Sequence, residues 1–294
     1  FELDNISRGF LLSNLPEIGN QIARSVAWVT LWDEMLEGRV APNDMLKLAQ
    51  KSLAAERNEL IAQHILGNVQ TIFWRFLSDR DRHSISQDLE DLLWQGARQS
   101  LSKSLRSAYF RAYRSIALTP EGITRLKSVW DKKTTIPGIT FEEIDFMTMA
   151  YEIAVRDFPD SLQVLKTQLD QIQNLERKAQ FEFVLPALSS QVKQRDDFFR
   201  SLAQPENRRR EQWVLRALNY LHHPLRAGQS LKYVQPSLEM LEEIRDTGDI
   251  FFPKAWLDAT FRGHRSRQAG NTVRRFVQER PNYPSRLREK ILQS

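Results

Sequence analysis

The sequence predicts an all-α fold, a superhelix of stacked antiparallel helix pairs. Three observations predict it. Apolar residues recur every three or four positions along nearly the whole chain, the period of a helix with one buried face. No convincing segment alternates apolar and polar residues as a half-buried strand would. The breaks between periodic segments are short and end in Gly, Pro or Asn. Short connections make consecutive helices antiparallel neighbours.

The first helical stripe runs from Leu15 to Leu36 through Ile18, Ile22, Val26, Val29, Trp32 and Leu36. Gly38 stands where a C-terminal cap belongs, and Pro42 can open the next helix because its missing N–H would be unsatisfied there anyway. Met45, Leu48, Ala49 and Leu53 stripe that second helix, and Ile61, Ile65, Val69, Ile72 and Phe76 a third. Two more follow, on Leu89, Leu92, Leu93 and Ala97 and on Leu105, Tyr109, Ala112 and Ile116. Thr119, Pro120 and Glu121 combine a hydroxyl cap, a first-turn proline and an acid favoured by the helix dipole. Thr140 to Glu143 has the spacing of a capping box, with Glu143 reaching back to the Thr140 N–H. Ile144, Met147, Ala150, Tyr151 and Ala154 then continue at helical spacing.

Past Pro159 the pattern predicts helices over 162–172, 175–188, 198–203, 208–221, 236–245, 253–261, 266–278 and 285–292. The only exception to helix is the start, where Phe1, Glu2 and Leu3 fit the end of a strand. The predicted organisation is therefore 1–14 as the end of a preceding β-domain or a linker, and 15–294 as an α-helical solenoid. No exact sequence period is present, which makes the array an irregular one of the HEAT/armadillo type. Lacking an initiator Met, the chain reads as a piece of a longer polypeptide.

The 294 residues contain no cysteine, which excludes disulfides, thiolate metal sites and cysteine nucleophiles. No apolar run reaches the roughly 20 residues of a membrane span, so the chain is expected to be soluble, with no membrane partner; its compartment is not legible. The net charge of +5 is unevenly spread. From Lys254 onward, Arg262, Arg265, Arg267, Arg274, Arg275, Arg280, Arg286, Arg288 and Lys290 face only Asp258, Glu279 and Glu289. A basic end on a near-neutral body fits an anionic partner, or a solvated helix face.

No catalytic signature is present. The five histidines, His64, His83, His222, His223 and His264, form no H-E-x-x-H, and G-x-S-x-G, P-loop and G-x-G-x-x-G are absent. His222 and His223 are adjacent, diverge by roughly 100° on a helix, and precede Pro224, so they read as a helix end. The acid pairs Glu142-Glu143, Asp196-Asp197 and Glu242-Glu243 read as solvated faces. The seven tryptophans read as core, and Arg208, Arg209 and Arg210 as an exposed basic helix start. No catalytic residue, metal ligand or cofactor is therefore expected in this chain.

Three stretches carry a resemblance. Ile22-Ala23-Arg24, then Leu31-Trp32-Asp33-Glu34-Met35-Leu36-Glu37-Gly38 and the acid-containing turn Ala55-Glu56-Arg57-Asn58-Glu59, resemble the opening of the C-terminal helical domain of zinc aminopeptidases of the aminopeptidase N type. Thr247 to Pro253, Trp256-Leu257, Thr260-Phe261, Gly263-His264 and Pro281-Asn282-Tyr283-Pro284, with Leu287-Arg288 and Lys290 to Gln293, resemble the terminal helices of its bacterial members. Phe1 to Asp4 is similar to the end of the strand closing that family's β-domain. The middle, from about Asp79 to Asn207, matches in helical texture only.

The resemblance implies a bowl-shaped, non-catalytic domain that encloses the active site and contacts the distal part of peptide substrates. Its partners would be the parent's catalytic and β-domains and the peptide itself, and the parent's zinc would lie in the catalytic domain. A peptide held by its N-terminus points its carboxylate away from the metal, and Arg binds a carboxylate through a two-pronged fork. Lys254, Arg262, Arg265 and Arg267 are the peptide-binding candidates; the competing reading puts them on an outer face or in local ion pairs. Two alternatives stand beside this: a protein-interaction α-solenoid unrelated to peptidases, and a nucleic-acid-binding helical repeat, disfavoured because the basic end holds no recognition module.

Overall fold

The computed structural model describes residues 2–294, and Phe1 lies outside them. The described residues are helical or irregular, with no strand among them. They fall into two compact units, 1–140 and 141–294, each built of helices packed in pairs.

The first unit holds α1 (Asn5–Asn14), α2 (Gln21–Leu36), α3 (Pro42–Ala55), α4 (Glu59–Thr71), α5 (Asp79–Gln99), α6 (Lys103–Ile116) and α7 (Pro120–Trp130). Residues 5–14, for which the sequence predicts a linker or the tail of a β-domain, form a capped helix. The Asp4 side chain accepts from the Ile6 and Ser7 N–H groups, each at 2.9 Å. The local signal is an ordinary N-cap, overlooked because Phe1-Glu2-Leu3 reads as extended.

The cap assignments at Gly38 and Thr119 hold. Gly38 adopts φ +75°, a left-handed conformation that costs a side-chain-bearing residue energy, and the chain turns there into Pro42 at the start of α3. Thr119 caps α7 by accepting from the Gly122 N–H at 2.9 Å. The box at Thr140 is shifted by two residues. Glu142 is the N-cap of the next helix, and the Asp145 carboxylate accepts from the Glu142 N–H at 3.0 Å.

The stripe on α2 differs most from expectation. Ala27, Trp28, Leu31 and Met35 are buried, whereas Ile22, Val26, Val29 and Leu36 are each more than half exposed. The helix is apolar on two faces, and the periodicity follows the one the first unit leaves bare. Beneath α2, the fully buried Glu34 ties down the start of the chain. It accepts from Arg8 Nε at 2.8 Å and the Leu3 N–H at 3.3 Å, and pairs with Arg39 at 3.1 Å.

The second unit holds α8 (Glu143–Val155), α9 (Ser161–Gln171), α10 (Leu175–Leu188), α11 (Val192–Ser201), α12 (Glu211–Leu221), α13 (Ala227–Ser230), α14 (Val234–Glu239), α15 (Leu241–Thr247), α16 (Phe252–Phe261), α17 (Arg267–Gln278) and α18 (Ser285–Leu292). Its core lies on α8, α10, α12 and α16, where Tyr151 stacks on Phe181 at 4.7 Å and Trp256 is fully buried. The single helix expected over 236–245 is broken at Met240 into α14 and α15. Of the seven tryptophans, Trp28, Trp74, Trp130 and Trp256 are buried and the other three half-buried, in keeping with a packing role.

Candidate functional site

The candidate site is the corner where α16 turns into α17 over the end of α12. Three features set its backbone. Pro253 sits in the first turn of α16, where its missing N–H costs nothing. Trp256 and Leu257 face the core, and the Trp256 indole donates to the Ser237 carbonyl at 3.2 Å. After α16, the chain passes directly over the end of α12. A Cβ on Gly263 would stand 2.2 Å from the His222 carbonyl oxygen, closer than atoms can approach, so only glycine fits.

That close passage delivers His264 onto His222. Their rings meet edge to face at 5.1 Å, with His222 Nδ1 2.9 Å from His264 Nε2. This is one hydrogen bond between two neutral imidazoles, one donating and one accepting. His222 is fully buried at the C-cap of α12, and Tyr233 lies against its ring at 6.0 Å. Burial, then the neighbouring His264, pushes His222 well below the ordinary histidine value; burial pushes His264 down to about 4. The far nitrogen of His222, Nε2, is buried without a hydrogen-bond partner. His223 points elsewhere and accepts from the Leu225 N–H at 3.3 Å. Among the described residues, no three His, Asp or Glu side chains gather in a group able to hold a metal ion.

The four basic candidates are unequally placed. Arg262 closes α16, Arg265 lies in the corner, and Arg267 is the first residue of α17; all three are exposed. Arg262 Nη1 reaches 3.4 Å from the Asn219 side-chain oxygen, a weak contact. Lys254 stands eight residues before Arg262 along α16, about 12 Å away by helical rise. It is half-buried and pairs with Asp258 one turn on. Arg262, Arg265 and Arg267 thus lie within six residues at the corner, and Lys254 lies apart from it, paired with Asp258.

Several buried polar groups escaped the sequence. Arg208, read as part of an exposed basic start, is buried, donates to the Leu202 carbonyl and pairs with Glu243. Arg226 is buried as well. Its guanidinium reaches Asp157 at 2.9 Å and the carbonyls of Leu188 at 2.9 Å, Ala187 at 3.2 Å and Ala154 at 3.3 Å, closing the C-terminal ends of α8 and α10. Cations favour helix C-termini, but no local motif tells which loop arginine will fold back onto one.

The described chain is thus a member of the all-α class, built of packed helix pairs. No protein-family model and no curated protein matches it.

Proposed function

We propose that this chain is the non-catalytic C-terminal helical domain of a zinc aminopeptidase of the aminopeptidase N type, enclosing the parent's active site and holding the distal end of the peptide. One observation carries the reading. Residues on which the resemblance rests, far apart in sequence, meet at structural joints. Arg24, from the opening helix motif, forms a two-pronged ion pair with Glu56, from the acid-containing turn, through Nε and Nη2 at 2.8 Å each. At the other end, Trp256 donates to Ser237 of α14, and Gly263 and His264 lie against His222 at the end of α12.

The bare face of α2 supports a neighbouring module. Ile22, Val26, Val29 and Leu36 run four turns along one face, interrupted by the single exposed acid Asp33, and such a stripe gains from being covered. No residue of this chain is assigned to the metal, which belongs to the catalytic domain of the parent. What this chain supplies is positive charge at the α16–α17 corner. Arg262, Arg265 and Arg267 attract the carboxylate of a peptide whose N-terminus is held elsewhere, and binding energy gained there positions the distant scissile bond.

The test uses the full parent polypeptide carrying the triple change Arg262→Ala, Arg265→Ala and Arg267→Ala. Turnover of peptides of about ten residues is expected to fall roughly tenfold in kcat/KM, the worth of one charge-assisted contact. Hydrolysis of a single-residue aminoacyl anilide, too short to reach the corner, should stay unchanged. Equal kcat/KM for the long peptide in both proteins removes the role from these arginines.

A further inference from the structure

An apolar groove of about 560 Å³ lies in the second unit between α9 and α11, a volume ordinary for a small-molecule site. It exists because α9 and α11 both lean on α10 and leave the end of α10 between them. Pro186, in the last turn of α10, lies in its floor. The floor is buried and apolar: Ala154, Leu165, Leu188 and Phe198. Leu162, two-thirds exposed, forms the lip.

Charge at the rim selects the occupant. Two charged side chains line the groove, Lys166 and Asp197. Asp197 is already neutralised by Lys193 at 2.7 Å and Arg200 at 2.9 Å. Lys166 is exposed, and no carboxylate among the described residues pairs with it. The first turn of α11 adds to this sign. Gln191 provides no side-chain cap and no acid stands in that turn, so its N–H groups face the rim with the positive end of the dipole. An apolar trough with one uncompensated cation at its edge suits a ligand with a hydrocarbon body and one anionic end.

We propose that this groove binds a straight-chain fatty carboxylate, its tail over Leu165, Leu188 and Phe198 and its carboxylate at Lys166. The proposal is independent of the peptidase reading. The test is calorimetric titration of the whole chain with decanoate below its micelle concentration. Saturable binding at one site is expected. Lys166→Glu should weaken it by about tenfold or more, since a charge-assisted contact becomes a repulsion. Leu162→Asp should weaken it similarly by placing a charge on the lip, and decanol should bind less tightly than decanoate. Both positions are exposed, so circular dichroism of the variants should match the parent chain. Non-saturable uptake overturns the proposal, as does an affinity unchanged in both variants. Displacement of decanoate by a leucine-terminated peptide that binds more tightly also overturns it, because the groove would then be a peptide site.

Discussion

His222 Nδ1 lies 2.9 Å from His264 Nε2, and the contact depends on Gly263 passing directly over the His222 carbonyl. Both imidazoles are held neutral by burial, which gives the second unit a defined weakness in mild acid.

The sign follows from the direction of the shifts. His264 titrates near 6.5 when unfolded and about 4 when folded, so the unfolded chain binds the proton more readily. Its contribution is intact above pH 6.5 and is lost as pH falls toward 4, amounting to about 3 kcal/mol for the shift given, at 1.36 kcal/mol per unit. His222 adds in the same direction. Urea unfolding at pH 7, 5.5 and 4.5 should show a falling midpoint, and His264→Gln should flatten part of that slope, leaving the share of His222. A midpoint constant over this range would contradict the neutral pair. The carboxylates act in a lower window. Burial pushes Glu34 up, but bonds from Arg39, Arg8 and the Leu3 N–H outweigh it and hold the group at about 2, so its contribution fades only below the ordinary carboxylate range.

Gly263→Ala is expected to destabilise the chain by at least about 2 kcal/mol, because the added methyl meets backbone that cannot move without displacing the end of α12. Thermal melting checks it. A drop in Tm of less than a degree would mean that the two segments are not in contact.

Arg24 and Glu56 are nearly buried on both sides, so removing one partner strands a charge. Glu56→Ala should cost about 3 kcal/mol, and Arg24→Met with Glu56→Ala together should cost less than Glu56→Ala alone. A double-mutant cycle in urea reads the coupling. Additive losses would show the pair to be incidental.

The stripe on α2 predicts the opposite pattern. Ile22→Asp and Val26→Asp replace exposed side chains, so each should change the stability of the isolated chain by under about 0.5 kcal/mol. On the proposed function, the same changes should weaken association with the preceding domains of an aminopeptidase parent, measured by gel filtration of a mixture. A large loss of stability in the isolated chain would place that face in its own core.

Most of the fold was legible because each helix needs only a local period and a cap. Gly38, Pro42 and Thr119 mark boundaries that the structure reproduces. Periodicity misled on α2 because a helix apolar on two faces offers two stripes, and local pattern does not tell which one the neighbours cover. The candidate arginines Arg262, Arg265 and Arg267 were visible as an excess of like charge, and the structure places them at one corner. The His222–His264 contact was not visible, since it joins residues 42 apart through a loop crossing. Gly263 was a signal for it, a glycine between Arg262 and His264 at the end of a helix. The Arg226 clamp, which joins the ends of α8 and α10 far from it in sequence, left no sign at all.

The most direct measurement compares the parent's catalytic portion with and without this chain added, scoring release of the N-terminal residue from a ten-residue peptide and from a single-residue aminoacyl anilide. A domain that encloses the site and holds the far end of the peptide predicts that adding the chain raises kcat/KM for the peptide and leaves the anilide unaffected. A parent polypeptide without aminopeptidase activity, or peptide turnover indifferent to the chain, would contradict the account.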